Sequence, residues 1–428
     1  MDEKLNRRSF LKVGSAMGIA LGSNVFSPSN ENNKPIVWGI IGVGNRGTGL
    51  MKVILQMEGN EISAVCDIEE EHLKNAVKIV NTEKGKEPSG YSDYKEMLKQ
   101  KDIDAILIAT PIQLHASMAV DALRAGKNVL SEVAAAATID ECWALVNTVE
   151  KTKKIYMLSE NACYLRQNMM VSNMVRQGIF GDLTYSECGY VHQLKELLFN
   201  PDGSLTWRGM LTRDILGTWY PTHAIGPICQ WLGINRGDRL KTLTAFRSKQ
   251  ASLKPYIAKN FNSKSSAAQS VYRAGDTTST LVETEKGALI NVRFDILSNR
   301  PHPNTTHHTL QGATASYEDR NNQQLIWMNG KSEKFAWEPL DKYADAYEHP
   351  LWKKWATQAK AVGHAGSDYF VIYDFTNAVR TESPSPIDVY DAVVWSSLIP
   401  LSDISIKNSG IPVEIPDFTK GKYKERRG

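Results

Sequence analysis

The stretch "KPIVWGIIGVGNRGTGLMKVILQM", residues 34 to 57, constrains the fold more than any other part of the chain. It reads as an apolar strand over Ile36 to Ile41, then Gly42-x-Gly44-x-x-Gly47, then an amphipathic helix. Such a strand-turn-helix needs a tight turn at Gly42, close backbone approach to a pyrophosphate at Gly44 and close helix packing at Gly47, with Asn45 and Arg46 between the last two. Alone, the glycine spacing also suits a purely structural turn. Here a second strand follows, "EISAVCDIE", and its end carries Asp67, placed to bind a ribose diol. A carboxylate there disfavours a 2′-phosphate, so NAD is expected over NADP.

The alternation continues through "YSDYKEMLKQKDIDAILIATPIQLHASMAVDALRAGKNVLSE", with strands at Ala105 to Ala109 and Asn128 to Leu130 separated by a helix. This order predicts an α/β chain whose N-terminal half is a doubly wound parallel sheet. Ligand groups should then come from the carboxyl ends of its strands. That places Thr110, Ile112, Gln113, Leu114 and His115 after one strand and Glu132 and Val133 after the next, at the nucleotide. His115 equally suits a helix cap or the surface.

Beyond about residue 160 strands dominate. "LKTLTAFRSK", "TTSTLVETEKGALINVRFDIL" (with a hairpin turn at Glu285 to Gly287), "HHTLQGATASYED" and "QQLIWMNG" predict a large, mostly antiparallel open sheet. The expected organisation is a leader over 1–30, a nucleotide domain over 35–160 and an α+β substrate domain over 161–428. A final helix is read from "SPSPIDVYDAVVWSSLIPLSDISIKN". "ASLKPYIAKNFNSKSSAAQSVYRAGD" is polar enough to be a mobile insertion.

Composition narrows the function classes. With 23% charged residues and a net charge of +3, the chain carries no field suited to nucleic acid. Its five cysteines show no CxxC spacing, so neither a disulfide framework nor a metal site is expected. No segment reaches the 18 apolar residues of a membrane span. The opening "MDEKLNRRSFLKVGSAMGIALGSNVFSPSN" resembles a twin-arginine export signal, with Arg7 and Arg8 before Phe10, Leu11 and Lys12. Export by that route would carry the protein out folded.

"GTWYPTHAIGP", residues 217 to 227, begins a second informative region. A helix from about Pro221 to Leu232 puts Ile225, Ile228, Cys229 and Leu232 on one apolar face and His223 on the other. Tyr190 and His192, two apart in "ECGYVHQL", share one face of a strand.

The run from Gly39 to Glu132 resembles the Gfo/Idh/MocA oxidoreductases. Most of these carry Glu-Lys-Pro where this chain reads Glu132-Val133-Ala134, so the familiar lysine is missing. The blocks "SEVAAAATIDECW", "LSENACYLRQNMMVSNMVRQGIFGDL", "WYPTHAIGPICQWLGINRGDR", "GHAGSDYF" and "IPDFTKGKY" resemble glycoside hydrolase family 109, the NAD-dependent α-N-acetylgalactosaminidase-like proteins. That resemblance implies an unusual hydrolysis: the sugar C3 hydroxyl is oxidised to a ketone by tightly held NAD+, the acidified C2 hydrogen is removed, and the glycosidic oxygen is eliminated. Water then adds and C3 is reduced again. It implies catalytic roles for His223, Tyr220 and Tyr190, substrate contacts at Tyr190, Arg208, Tyr220, Pro221, Thr222, His223 and His302, a cofactor contact at Asn161, which equally suits a cap of the helix that follows, and a final helix that packs back near the nucleotide domain. At His302 family members often have tyrosine. The partner implied is a small glycoside or glycan terminus, and the open sheet face implies a homo-oligomer. A dehydrogenase releasing a 3-keto sugar, or a non-catalytic NAD- or sugar-binding protein, would use the same fold. The missing lysine and the Tyr-Pro-Thr-His block favour the hydrolase.

Overall fold

The computed structural model describes residues 34–301 and 305–425, so the leader and His302 lie outside the described residues. Six parallel strands form the first sheet: β1 Ile36–Ile41, β2 Asn60–Cys66, β3 Ser89–Tyr91, β4 Ala105–Ile108, β5 Asn128–Ser131 and β6 Tyr156–Leu158. Their order is β3-β2-β1-β4-β5-β6, which places the switch point between β1 and β4. The central strands are buried apolar runs, as a sheet covered on both faces requires.

The glycine motif meets each demand that its spacing makes. Gly42 has φ +85°, and a Cβ there would lie 2.7 Å from the Ala109 carbonyl oxygen. A Cβ on Gly47 would lie 1.9 Å from the Gly42 carbonyl oxygen, inside any tolerable contact. Gly47→Ala should therefore push the helix Asn45–Gln56 off the turn. We expect purified G47A to be free of NAD, with a melting temperature several degrees lower; retained NAD would show that the packing is looser than described.

The second sheet has nine strands in the order β14-β13-β12-β11-β7-β10-β9-β8-β15. Its long members are β7 Leu183–Val191, β8 Leu240–Arg247, β9 Thr278–Thr284, β10 Leu289–Asp295, β11 Thr306–Gly312, β12 Ala315–Arg320 and β13 Gln323–Met328, with short β14 Glu338–Pro339 and β15 Val413–Glu414 at the edges. Only β7 and β10 pair in parallel. The hairpin between β9 and β10 turns at Gly287, φ +90°.

Three sequence readings change. "HHTLQGATASYED" is a hairpin, β11 and β12, in which Gln311 pairs with Ser316. The last long helix is two, Val389–Ser396 and Leu398–Lys407, because Pro400 cannot donate to the Ser396 carbonyl and is tolerated only in a first turn. The segment expected to be mobile instead builds helices Leu253–Asn260 and Ser266–Gln269. Leu253, Ile257 and Ala267 bury themselves there in an apolar cluster with Phe199, flanked by Tyr256, Phe261 and Tyr272.

The C-terminal helices lock onto the first sheet. Leu158 N–H donates to the Ile387 carbonyl at 3.1 Å, Ala135 N–H to Ser396 Oγ at 3.0 Å, and Ser385 Oγ to the Tyr156 carbonyl at 2.7 Å. Phe375 packs on Trp38 of β1 with ring centroids 5.1 Å apart. These ties hold the C-terminal segment against β1, β6 and the loop after β5.

Candidate active site

The nucleotide half of the site is built from loops at those carboxyl ends. The helix Asn45–Gln56 begins at Gly44 with no side-chain cap and no acidic residue in its first turn, which leaves its first N–H groups for an anion. Asp67 is fixed beside this loop: Val43 N–H donates to one carboxylate oxygen at 2.8 Å and Glu69 N–H to the other at 2.9 Å. Each oxygen keeps a further lone pair for a ribose hydroxyl. These residues fit an adenine dinucleotide. Asp67→Ala should weaken NAD retention, read as free NAD after gel filtration, with the chemical step intact when NAD is supplied in excess; unchanged retention would remove Asp67 from the site.

Arg46 does more than border the phosphates. Its Nε donates to Glu132 at 2.7 Å, and its two terminal nitrogens donate to Asp368 at 2.7 and 2.9 Å. His364 Nδ1 lies 3.1 Å from the same guanidinium and 2.8 Å from Asp368. Asn161 Nδ2 donates to Asp368 at 3.2 Å. Burial alone would lower the arginine's proton affinity, but the two carboxylates outweigh it and hold it raised. Glu132 also accepts from Val133 N–H at 3.2 Å. Thus Arg46, Glu132, Val133 and Asn161, each assigned to the cofactor from sequence, are joined here, Glu132 and Val133 through Arg46 and Asn161 through Asp368.

Other assignments are corrected. His115 is buried, and its two ring nitrogens face the carbonyl oxygens of Ala134 and Thr110, both at 2.7 Å, so no nitrogen is left for a ligand. It clamps two loops together. Ile112 is likewise buried, with Ala134 in the second apolar cluster, whereas Gln113 and Leu114 stay exposed on the first turn of their helix, at the carboxyl end of β4 as assigned from sequence. Pro221 and Thr222 are buried as well and start the helix Thr222–Trp231, with the Pro221 carbonyl accepting from Ala224 and Ile225 N–H groups at 3.0 Å. They shape the turn instead of lining a cleft.

The second half of the site forms around aromatic rings. Tyr190, at the end of β7, lies 5.1 Å from the Tyr220 ring, 5.5 Å from the His223 ring and 5.7 Å from that of His192, centroid to centroid. Tyr220 and His223 are 5.0 Å apart. Arg208 lies over the indole of Trp207 at 4.1 Å, a cation–π contact that holds its fork. Tyr190, Tyr220 and His223 therefore converge, with the charge of Arg208 felt at both tyrosines.

Sequence reading missed one partner entirely. Glu160, fully buried after β6, places Oε1 2.5 Å from His223 Nδ1. Its signal was position alone: an acid at the carboxyl end of a parallel strand in an otherwise apolar run. Burial would lower the proton affinity of His223, yet the Glu160 charge and hydrogen bond outweigh it, Glu132 adds to the effect and Arg46 opposes it, so the histidine is raised above its ordinary value. Burial, followed by the neighbouring acids, pushes Tyr220 far up, and burial does the same to Tyr190 against the pull of Arg208. Both are phenols at neutral pH. His308 Nε2 faces the His223 carbonyl at 3.0 Å, and burial lowers His308 to about 4, so it is neutral and donates there.

Among the described residues, no three His, Cys, Asp or Glu side chains cluster as a metal site, and no helix is long and apolar enough to cross a membrane.

Comparison with known proteins agrees with this division. Residues 36–160 match the oxidoreductase family with an NAD-binding Rossmann fold, and residues 164–425 match the C-terminal domain of glycosyl hydrolase 109. A glycosyl hydrolase family 109 protein of Solibacter usitatus is 37% identical, covering 99% of each chain. One of Stenotrophomonas maltophilia is 36% identical over 99% of this chain and 97% of its own. Among solved structures, levoglucosan dehydrogenase in complex with NADH superposes with a TM-score of 0.72 at 17% identity, covering 90% of this chain and all of that one. The myo-inositol dehydrogenase of Lactobacillus casei, in complex with NAD(H) and myo-inositol, gives 0.62 at 16% identity, over 89% and 97%. At those identities the likeness is one of fold. NAD is the cofactor of the first half, and the chain belongs to glycosyl hydrolase family 109.

Proposed function

We propose that the protein is a retaining glycosidase for N-acetylgalactosaminides that oxidises and then re-reduces C3 of the sugar within each turnover. The observation that carries this reading is the convergence of a carboxylate-held histidine and two neutral tyrosines in front of the nucleotide strands. Bound at the glycine-rich loop, NAD+ would supply the acceptor for the C3 hydride and the source of its return at the end of the cycle.

His223, with Nδ1 engaged by Glu160, presents Nε2 to take the C3 hydroxyl proton. Tyr220, kept protonated by burial, donates a hydrogen bond to the same oxygen and polarises the C3 carbonyl. The ketone acidifies C2–H. Tyr190, beside Tyr220, is placed to relay the C2 proton to His223, which passes the proton it took from the C3 hydroxyl to the departing glycosidic oxygen. As the C2–H bond breaks, its electron pair forms the C1–C2 double bond and the glycosidic oxygen leaves as the alcohol. Water adds back at C1 and a proton at C2, which closes the balance as hydrolysis. Arg208 offers its fork to hydroxyl or acetamido oxygens. Val133, where relatives with dehydrogenase chemistry often carry lysine, leaves the proton traffic to this cluster.

Hydrolysis in D2O tests the scheme. The released sugar should carry deuterium at C2, and a substrate labelled at C3 should keep its label in the product. A product with its C2 hydrogen unexchanged, together with no C2 isotope effect on the rate, would contradict elimination. The Arg7-Arg8 leader fits the same reading, because a cofactor restored at every turnover needs no outside supply. We also propose a homo-oligomer through the open sheet face, where Phe246, Leu281 and Leu289 are exposed.

A further inference from the structure

We infer that Glu160 is the positioning residue of His223: its buried carboxylate fixes the imidazole with Nδ1–H inward and Nε2 outward and holds the compensating charge through turnover. The inference rests on the glycosidase reading for its consequence, but the pair itself can be measured without it.

Glu160 is fully buried, and its Oε1 takes both the His223 Nδ1 contact at 2.5 Å and the Ala162 N–H at 3.0 Å. Its Oε2 has no hydrogen-bond partner among the described residues. A buried carboxylate so poorly solvated is strongly destabilising unless a hydrogen-bond donor or an opposite charge stands against it. Asp and Glu side chains in such places are paired, and the group against this one is His223. The chain also makes room for the contact. Gly226, three residues along the His223 helix, is where a Cβ would come within 3.1 Å of Glu160 Cγ and 3.2 Å of Cys163 Sγ. A side chain there would wedge the carboxylate away from the ring.

The consequence is a chosen tautomer. With Nδ1–H donated to Glu160, neutral His223 has its lone pair on Nε2, towards the tyrosines and the cleft, and becomes a cation paired with Glu160 on taking a proton. The other groups facing the ring are Tyr190 from β7, Tyr220 from the preceding turn, Glu132 after β5 and Arg46 from the glycine-rich loop, with His308 of β11 on the His223 carbonyl. The tyrosines are neutral, and Glu132 and Arg46 act in opposite directions. Glu160 is therefore the charge that decides the histidine's proton affinity.

Glu160→Gln separates positioning from bulk structure, because an amide oxygen can still accept from Ala162 N–H and from Nδ1–H while the charge is gone. In NAD-loaded, histidine-labelled protein, with the His223 resonance assigned by its loss in His223→Ala, the titration midpoint of His223 should fall by at least about one pH unit. The acid limb of kcat/KM should move down with it, and kcat should fall roughly a hundredfold. Should Glu160→Gln fail to fold, Glu160→Asp, which withdraws the charge by one methylene, should lower the midpoint in the same direction by less. An unmoved midpoint in the folded variant would overturn the assignment, even if activity fell. A wild type with a raised midpoint but no glycosidase turnover would leave the pair standing and sink the reading of function instead.

Discussion

Replacing His223 by alanine should reduce turnover by roughly two to four orders of magnitude while the protein still carries NAD. His223 is a ring nitrogen base in the aromatic cluster whose proton affinity is raised, with Nδ1 held by Glu160. Tyr190 and Tyr220 cannot replace it, because burial keeps both protonated at neutral pH. The groups that fit the dinucleotide, at Gly42 to Gly47 and Asp67, belong to other segments, so cofactor content should be unchanged. Stability should fall too, by up to about 3–5 kcal/mol, since Glu160 is left as an unpaired buried charge. Partial entry of water into the vacated space will reduce that figure. Steady-state rates, NAD content and thermal melting of the same preparation separate the effects. Wild-type turnover in the variant would move the proton acceptor to another residue.

The second large effect is expected at Asp368. Its carboxylate, 2% exposed, ties Arg46 of the glycine-rich loop to Asn161 and His364, and Arg46 in turn reaches Glu132. Because β4 lies between β1 and β5 in the sheet, the Arg46 to Glu132 bridge spans the switch point where the dinucleotide binds. Asp368→Ala should therefore destabilise the fold by about 3 kcal/mol, the lower end for a broken buried pair because Glu132 remains, and should speed NAD dissociation measurably. Burial would raise the Asp368 carboxyl, but His364 and Arg46 outweigh it and hold it well below the usual carboxylate range. Its contribution is thus present above the unfolded value and lost only as pH falls through the lowered one, in strongly acidic solution. Thermal melting and NAD loss on repeated filtration report the two consequences. Unchanged NAD retention would confine Asp368 to a structural role.

Much of the nucleotide half was legible because its signals are local. The β1 strand, the glycine turn and Asp67 sit within one supersecondary unit, and Tyr190, Tyr220 and His223 were brought forward by a motif. What stayed hidden was the pairing between distant segments. Glu160 and His223 are 63 residues apart, and Arg46 and Asp368 are 322 apart. No periodicity reports such contacts; only the folded positions do. His115, Pro221 and Thr222 were misplaced for the complementary reason. Polar or turn-forming residues next to a site motif look like ligands in sequence, whereas here they hold the loops that carry the ligands. The break at Ser397 was signalled by Pro400, three residues on, and was outweighed by the apolar pattern on either side.

The most direct test uses purified protein with no added nucleotide and p-nitrophenyl N-acetyl-α-galactosaminide, following nitrophenol and NADH absorbance together. Many nitrophenol molecules released per bound NAD, with no rise in NADH, is the predicted result. No nitrophenol release, with NADH accumulating once NAD+ and free sugar are supplied, would contradict the recycled hydride and make the protein a sugar dehydrogenase.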